Sequence, residues 1–87
     1  MIPTGIYRHY KGGTVLVFST SKFSEDDTIL VNYIGLQNNK ICSRPIESFL
    51  DSVVVDGESK PRFSLEKEIK IDLEKFLSKY TENNKNI

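Results

Sequence analysis

The fold class is set by the stretch Thr28-Ile-Leu-Val-Asn-Tyr-Ile34. Apart from its Leu and its Asn, every residue of this stretch is β-branched or aromatic, and these residue types favour strands. The polar residues Gln37-Asn38-Asn39 follow shortly after it, and Asn accepts the positive φ that a tight turn requires. The stretch therefore predicts a β-strand over 28–34 that leads into a turn.

Shorter stretches of similar composition lie on both sides of this strand. Gly12-Gly13 ends the first of them, and Asp56-Gly57 is a hairpin signal between the last two. The polar segment 19–27 predicts an exposed loop, and Pro45 predicts the first position of a short helical turn. Short strands at this spacing favour a mainly β fold, namely a small SH3-like β-barrel of about five antiparallel strands. The other predicted strands cover 5–10, 14–18, 40–43, 52–55 and 59–63.

The hydrophobic period changes after Phe63. Apolar residues then fall three or four positions apart, which is the spacing of one helix face. We therefore expect a barrel over 1–63, a C-terminal amphipathic α-helix over 64–80 and a frayed tail over 81–87. The helix either packs on its own barrel or forms a homodimer contact, and the sequence leaves both open. Its apolar stripe consists of Leu65, Ile69, Leu73, Phe76, Leu77 and Tyr80.

The composition argues against several classes of function. The chain of 87 residues suffices for one domain, and its 12 basic residues balance 12 acidic ones. This balance argues against a protein that is held on nucleic acid by charge. No apolar run is long enough to cross a membrane, and the N-terminus lacks the pattern of a secretory signal.

Cys42 is the single cysteine and His9 the single histidine. One thiol forms no internal disulfide, which predicts a reducing, cytoplasmic location. One Cys and one His are also too few for a zinc site built from these residue types. We therefore expect neither a metal nor a cofactor.

The block Gly5-Ile-Tyr-Arg-His-Tyr-Lys-Gly12 resembles the start of DUF1653, a bacterial family of unknown function. The resemblance continues in the family's order as far as Phe63. It implies an SH3-like barrel of bacterial or phage origin and no established activity. The sequence departs from the family pattern at Phe23, where the family usually has a His. The further matching blocks are Ser24-Glu25, the strand end at Tyr33, Arg44-Pro45 with Phe49, Val55-Asp56-Gly57 and Pro61-Arg62-Phe63.

The first predicted strand carries a concentrated polar group, in which two cations, an imidazole and a phenol stand on successive residues. Two further arginines lie near strand ends and can approach it. Such a cluster can hold an anion, a phosphate or a nucleotide, with an aromatic ring stacked on a base. Alternatively, Arg8 and Arg62 pair with acidic residues across the sheet and build no site. The candidate ligand-binding residues are Arg8, His9, Tyr10, Lys11, Arg44 and Arg62.

Three functions remain open from the sequence. The first is a non-enzymatic binding module for an anionic small molecule, a nucleotide or an acidic segment of a partner protein. The second is a dimeric assembly protein with no small ligand. The third is a small hydrolase that uses His9 with a serine of segment 19–27, although no Gly-x-Ser-x-Gly elbow is present. No catalytic residue is assigned.

Overall fold

The computed structural model describes residues 2–72, 74, 75 and 77–79, and the protein is mainly β, as the sequence predicts. Among these residues, no helix has the length and apolar character needed to cross a membrane. The elements in chain order are β1 (Gly5–His9), β2 (Thr14–Lys22), β3 (Ile29–Gly35), β4 (Ile41–Pro45), α1 (Ile46–Phe49), β5 (Ser52–Val55), β6 (Glu58–Pro61) and β7 (Phe63–Glu68).

Five strands form one antiparallel sheet in the order β4-β3-β2-β1-β7, and β5 pairs with β6 in a separate hairpin. Strands β1 to β4 pair with their neighbours in sequence, whereas β7 returns to the remaining edge of β1. Register shifts interrupt the β1–β7 and β2–β3 ladders, and such bulges bend a sheet. Within the described chain, β4 and β7 remain as edges, so the barrel expected from the sequence is not closed.

Strand β2 runs to Lys22, so part of the predicted loop over 19–27 is strand. Its polar residues are held by β3, because the Asn32 side-chain amide donates to the hydroxyl oxygens of Ser19 at 3.0 Å and Ser21 at 3.1 Å. Asn32 points away from the core, since its neighbour in β3 is buried. The loop prediction was wrong there because polar residues also suit the solvent-facing side of an antiparallel sheet.

An aromatic core covers the inner face of the sheet. Phe49 of α1 stacks on Phe63 of β7 with ring centres 4.2 Å apart, and Tyr7 of β1 meets Phe49 edge-on at 5.2 Å. Tyr33 of β3 contacts both phenylalanine rings. The short helix α1 therefore contributes to the fold by delivering Phe49. The buried apolar residues are Tyr7, Val15, Val17, Val31, Phe49 and Phe63.

The helix predicted from residue 64 is wrong over 64–68, because these residues belong to β7. The pairing with β1 extends past the strand itself: the Ile69 N–H donates to the Thr4 carbonyl at 2.9 Å, and the Thr4 hydroxyl donates to the Ile69 carbonyl at 2.6 Å. The spacing of Leu65 and Ile69 fits a helix, but an isolated helix is marginal, whereas a sheet edge offers a row of unpaired backbone groups. The long-range partner therefore overrides the local pattern.

The predicted apolar stripe is consequently not one helix face. Leu65 lies in β7 and is 45% exposed, whereas Leu77 lies in a helical segment and is 53% exposed. Leu73, Phe76 and Tyr80 lie outside the described residues, as does the tail predicted to fray. Leu65 and Leu77 therefore cannot act together through a single helix, as the sequence pattern suggested.

Candidate functional site

A cleft of about 260 Å³ lies where β1 and β3 end and where β2, β4 and β7 begin. Because neighbouring antiparallel strands run in opposite directions, these ends meet at the same end of the sheet. Among the residues that the structure describes, two cations, Lys40 and Arg44, belong to the cleft wall, and no Asp or Glu does. The residues that line the cleft are His9, Gly13, Thr14, Val15, Tyr33, Gly35, Gln37, Asn38, Lys40, Cys42, Arg44 and Phe63.

Arg44 lies on the cleft side of β4. Its Nη1 donates to the Ser48 hydroxyl of α1 at 3.0 Å, and its guanidinium carbon lies 5.9 Å from the centre of the Phe63 ring. Its Nε is buried and has no hydrogen-bond partner among the described residues. A buried donor without a partner has lost its hydration and gained no bond in return. Arg44 is therefore a positioned cation whose donors are only partly used.

His9, at the end of β1, joins the cleft to a row of aromatic rings. Its imidazole meets Phe63 edge-on with ring centres 4.9 Å apart and lies beside the Tyr10 ring at 4.6 Å. Burial lowers the pKa of His9, and the positive charges of Arg44 and of other nearby basic residues lower it further. The Nδ1 of this ring accepts the Lys11 backbone N–H at 3.2 Å. At neutral pH, His9 is therefore an uncharged ring that carries its proton on Nε2.

A tight loop between β3 and β4 positions Lys40 at the rim of the cleft. The Gly35 N–H donates to the Lys40 carbonyl at 2.9 Å, and Asn38 Oδ1 accepts the Lys40 N–H at 3.0 Å. Asn39 has a φ of 57°, a left-handed conformation that Asn adopts more readily than most residues. In the described part of the chain, the Lys40 ammonium has no ion-pair partner. The loop therefore presents a free cation from a fixed backbone.

Gln37 ties this loop to β2 across the cleft wall. Its Oε1 accepts the Thr14 N–H at 3.1 Å, and its Nε2 donates to the Thr14 hydroxyl at 2.8 Å. The Leu36 N–H donates to the Thr14 carbonyl at 3.0 Å as well. Three bonds to one residue hold the loop against β2, so the protein's own hydrogen bonds fix this wall of the cleft.

Arg8 and Arg62 do not line the cleft, because each has an acidic partner elsewhere. The Nε of Arg8 donates to Glu66 Oε1 at 2.5 Å, from β1 to β7. Arg62 binds Asp51 through two hydrogen bonds, of 2.6 and 3.3 Å. The bond from Arg62 lowers the pKa of Asp51. Such acidic partners are what the alternative hypothesis requires, in which Arg8 and Arg62 form ion pairs and build no site.

Tyr10 and Lys11 lie beside the cleft, in the turn after β1. The Lys11 ammonium is 5.8 Å from the centre of the Tyr10 ring, and the Tyr10 N–H donates to the Arg62 carbonyl at 3.0 Å. Of the six predicted site residues, the structure thus brings His9 and Arg44 into the cleft and leaves Tyr10 in ring contact with His9.

Sequence reasoning missed several members of the cleft, above all Lys40, Phe63 and Gln37. A signal for Lys40 exists, since Lys40 and Cys42 stand at alternate positions of the strand predicted over 40–43, and Arg44 follows two positions later. No such signal exists for Phe63, because its place depends on the pairing of β7 with β1.

The other motifs form no site in the described part of the chain. Ser19 and Ser21 accept bonds from Asn32 on the outer face of the sheet, whereas His9 lies on the inner side. Asp26 accepts the Thr28 N–H at 3.0 Å and so supports its own loop. Among the described residues, no three His, Cys, Asp or Glu side chains are grouped to hold a metal ion. Over the part of the chain that the structure describes, no hydrogen bond joins His9 to a serine, so the hydrolase hypothesis gains no support from the structure.

Comparison with known proteins adds a family to this geometry. A family model described as "Protein of unknown function (DUF1653)" matches residues 5–65. The chain belongs to the DUF1653 family. The matched part of this DUF1653 protein contains every residue that lines the cleft, from His9 to Phe63. It also agrees with the resemblance carried by the block that begins at Gly5.

A solved structure is similar to this DUF1653 chain over most of its length. It is the crystal structure of a DUF1653 protein from Bordetella bronchiseptica, with 24% sequence identity and a TM-score of 0.71. The similarity covers 82% of this chain and 95% of that chain. At this identity the likeness supports the fold alone. No curated protein matches the sequence.

Proposed function

We propose that this DUF1653 protein is a non-enzymatic binding module whose cleft takes an anionic ligand. One observation carries the proposal: Lys40 and Arg44 line the cleft, no carboxylate lines it with them, and neither has an ion-pair partner among the described residues. A cleft that is lined by cations without a counter-charge attracts an anion.

The state of Arg44 supports this ligand class. Its guanidinium is already ordered by Ser48 and by the Phe63 ring, so little side-chain entropy is lost when an oxyanion binds. Hydrogen bonds from a guanidinium to a carboxylate or phosphate are also stronger than bonds between neutral groups. By contrast, Arg8 and Arg62 are occupied by Glu66 and Asp51.

The dimensions of the cleft limit what enters it. A volume of about 260 Å³ is close to the lower end of small-molecule pockets, which begin at about 300 Å³. The cleft therefore suits one anionic group with a short attachment, such as a phosphate with part of a nucleotide or the acidic side chains of a partner protein. Tyr33, Phe63 and His9 offer ring surfaces to the uncharged part of such a ligand.

The proposal is tested by titrating the protein with inorganic phosphate and with adenosine monophosphate, followed by NMR. Arg44→Gln should weaken binding by about tenfold or more, the loss of one charge-assisted contact. Arg8→Gln is the matched control, because it removes an equal charge outside the cleft and should leave the affinity unchanged. Equal binding by wild type and Arg44→Gln contradicts the proposal, as does a wild-type protein that binds no anion.

A dimeric assembly protein is the second candidate, and the exposure of two large apolar residues favours it. Leu65 and Leu77 are each about half exposed, so both offer apolar surface to a second copy of the chain. Light scattering at micromolar concentration distinguishes the two functions. A monomeric mass removes the assembly function and leaves the binding module in place.

We also infer that the bent sheet and the β5–β6 hairpin are an open variant of the SH3-like architecture expected from the sequence. Short antiparallel strands and bulges in two ladders support this inference. A cytoplasmic location remains a proposal that rests on the single, exposed Cys42.

A further inference from the structure

Strand β4 is an edge of the sheet. The alternation of bonded and non-bonded pairs along its ladder with β3 identifies the backbone groups of β4 that face outward. The Gly35 N–H donates to the Lys40 carbonyl, so these two residues form a hydrogen-bonded pair. Bonded and non-bonded pairs alternate along an antiparallel ladder. Cys42 and Arg44 therefore bond to β3, whereas the N–H and carbonyl groups of Ile41 and Ser43 point away from the sheet.

This outward edge is accessible. Ile41 is 69% exposed, and Cys42 and Ser43 are exposed as well. Among the described residues, no turn or loop backbone bonds to the N–H groups of Ile41 or Ser43, and β4 has a single strand neighbour. Proteins usually protect such edges, because an unpaired strand readily accepts another one.

The cleft side of the same edge carries an alternating pattern of charge. Lys40, Cys42 and Arg44 share the cleft face, so a neutral residue stands between two cations that are four positions apart. In a strand added beside β4, side chains directly opposite on one face lie about 5 Å apart. An added strand with acidic residues four positions apart therefore matches both cations at once. A neutral residue midway between them faces Cys42.

We infer that β4 is a docking edge for an extended acidic segment of a partner protein, which adds a strand to the sheet and places two carboxylates against Lys40 and Arg44. The inference rests on the proposed function, since the same cleft supplies the charge. Backbone bonds to Ile41 and Ser43 give such a segment affinity, and the alternate side chains give it selectivity. The recognised pattern is acidic-x-neutral-x-acidic.

A second copy of the chain fits this edge less well. A β4 strand paired with another β4 strand brings two sets of Lys40 and Arg44 to the same cleft face, and like charges across neighbouring strands repel. An acidic segment of a different protein neutralises them. The charge of the edge thus favours a foreign, acidic strand over self-association.

The experiment measures the binding of a fluorescent heptapeptide, acetyl-Thr-Glu-Val-Thr-Val-Glu-Thr-amide, by polarisation. The same peptide with Gln in place of Glu is the control ligand and should bind about tenfold more weakly or worse. Ser43→Pro removes one outward N–H and places a ring in the path of the added strand, at an edge position where Pro is tolerated. It should weaken peptide binding about tenfold, whereas Ser43→Ala, which keeps the N–H, should not.

Inorganic phosphate separates failure of this inference from failure of the proposed function. Ser43→Pro should still bind phosphate, because the cleft side chains are unchanged, whereas Arg44→Gln should bind both ligands about tenfold more weakly. A wild-type protein that binds phosphate but not the Glu peptide overturns the docking edge and leaves the anion cleft standing. A wild-type protein that binds neither phosphate nor the Glu peptide overturns both.

Amide exchange provides a second measurement if Ser43→Pro does not fold. In the wild-type protein, the Glu peptide should slow exchange at the amides of Ile41 and Ser43, and the Gln peptide should not. Protection elsewhere without protection at these two amides contradicts the inference. A concentration-dependent dimer that protects the same amides without peptide also contradicts it, in favour of a second copy.

Discussion

The guanidinium carbon of Arg44 lies 5.9 Å from the centre of the Phe63 ring. The Phe63 ring in turn stacks on the Phe49 ring, with ring centres 4.2 Å apart. The cation of the cleft therefore rests directly on the aromatic core. The cleft and the core are successive layers of one stack, so a change in the core reaches the cleft through a single ring.

Phe63→Leu tests this connection. The change removes the stacking with Phe49 and the ring beneath Arg44, and we expect the free energy of unfolding to fall by about 1–2 kcal/mol. Phosphate affinity should fall with it, because Arg44 loses the surface that positions it. Urea denaturation and phosphate titration measure the two effects. Phe23→Leu is the control, since Phe23 is exposed and does not line the cleft. A stable Phe63→Leu protein with unchanged phosphate affinity contradicts the connection.

Anion affinity should increase as the pH falls, because His9 takes up a proton on binding. In the free protein, burial and the nearby cations hold the pKa of His9 below its ordinary value of 6.5. A bound anion offsets those cations and raises this pKa, so the complex binds more protons than the free protein does. Inorganic sulfate, whose charge is constant here, should bind more tightly at about pH 5 than at about pH 8.

His9→Gln is the control for this titration and should bind sulfate with an affinity that no longer depends on pH over that range. If the wild-type protein binds sulfate with equal affinity at about pH 5 and about pH 8, protonation of His9 is not linked to anion binding. His9 would then line the cleft without its charge contributing to the free energy of anion binding.

The Arg62–Asp51 pair should make the fold sensitive to acid. The hydrogen bond from Arg62 lowers the pKa of Asp51 below its ordinary value of 3.8. A carboxylate with a lowered pKa in the folded state stabilises the fold above its unfolded pKa. This contribution is lost as the pH falls below about 3.8 through the folded value. Asp51→Asn should therefore lower Tm at neutral pH and flatten its decline in acid. A variant that keeps the full acid decline shows that other carboxylates cause it.

Gly5→Ala should detach β7 from β1. A Cβ at Gly5 would collide with the Lys67 carbonyl oxygen, and Gly5 has a φ of 148°. Alanine would clash with this backbone oxygen, and it rarely adopts such a φ. We therefore expect the free energy of unfolding to fall by about 3 kcal/mol or more. Gly13→Ala is the matched control, because its Cβ would meet only the side-chain amide of Gln37, at 3.2 Å, and no backbone atom. Equal stability of the two variants contradicts the pairing of β1 with β7.

The strands that pair with neighbours in sequence could be predicted, because their signals are local. The predicted strand over 28–34 became β3 with a shift of one residue, and the Asp56-Gly57 hairpin joins β5 to β6 as expected. Strand β7 could not be predicted, because its residues form a strand by pairing with the edge of β1, which is far away in the sequence. The error carried over to the site: Arg44 and His9 were identified from their chemistry, but Phe63 was not identified as their common support.

The bond between Thr4 and Ile69 spans 65 positions and has a consequence for the order of folding. Strands β1 to β4 are joined by short connections and can pair as soon as they leave the ribosome, whereas β1 gains its second partner only after β7 has been made. Closing so long a loop is slow compared with forming a hairpin. During synthesis the nascent chain therefore carries an open β1 edge, which other nascent chains can occupy by mistake. We expect refolding to show a fast phase for the pairing of β1 to β4 and a slower phase for the pairing of β7 with β1.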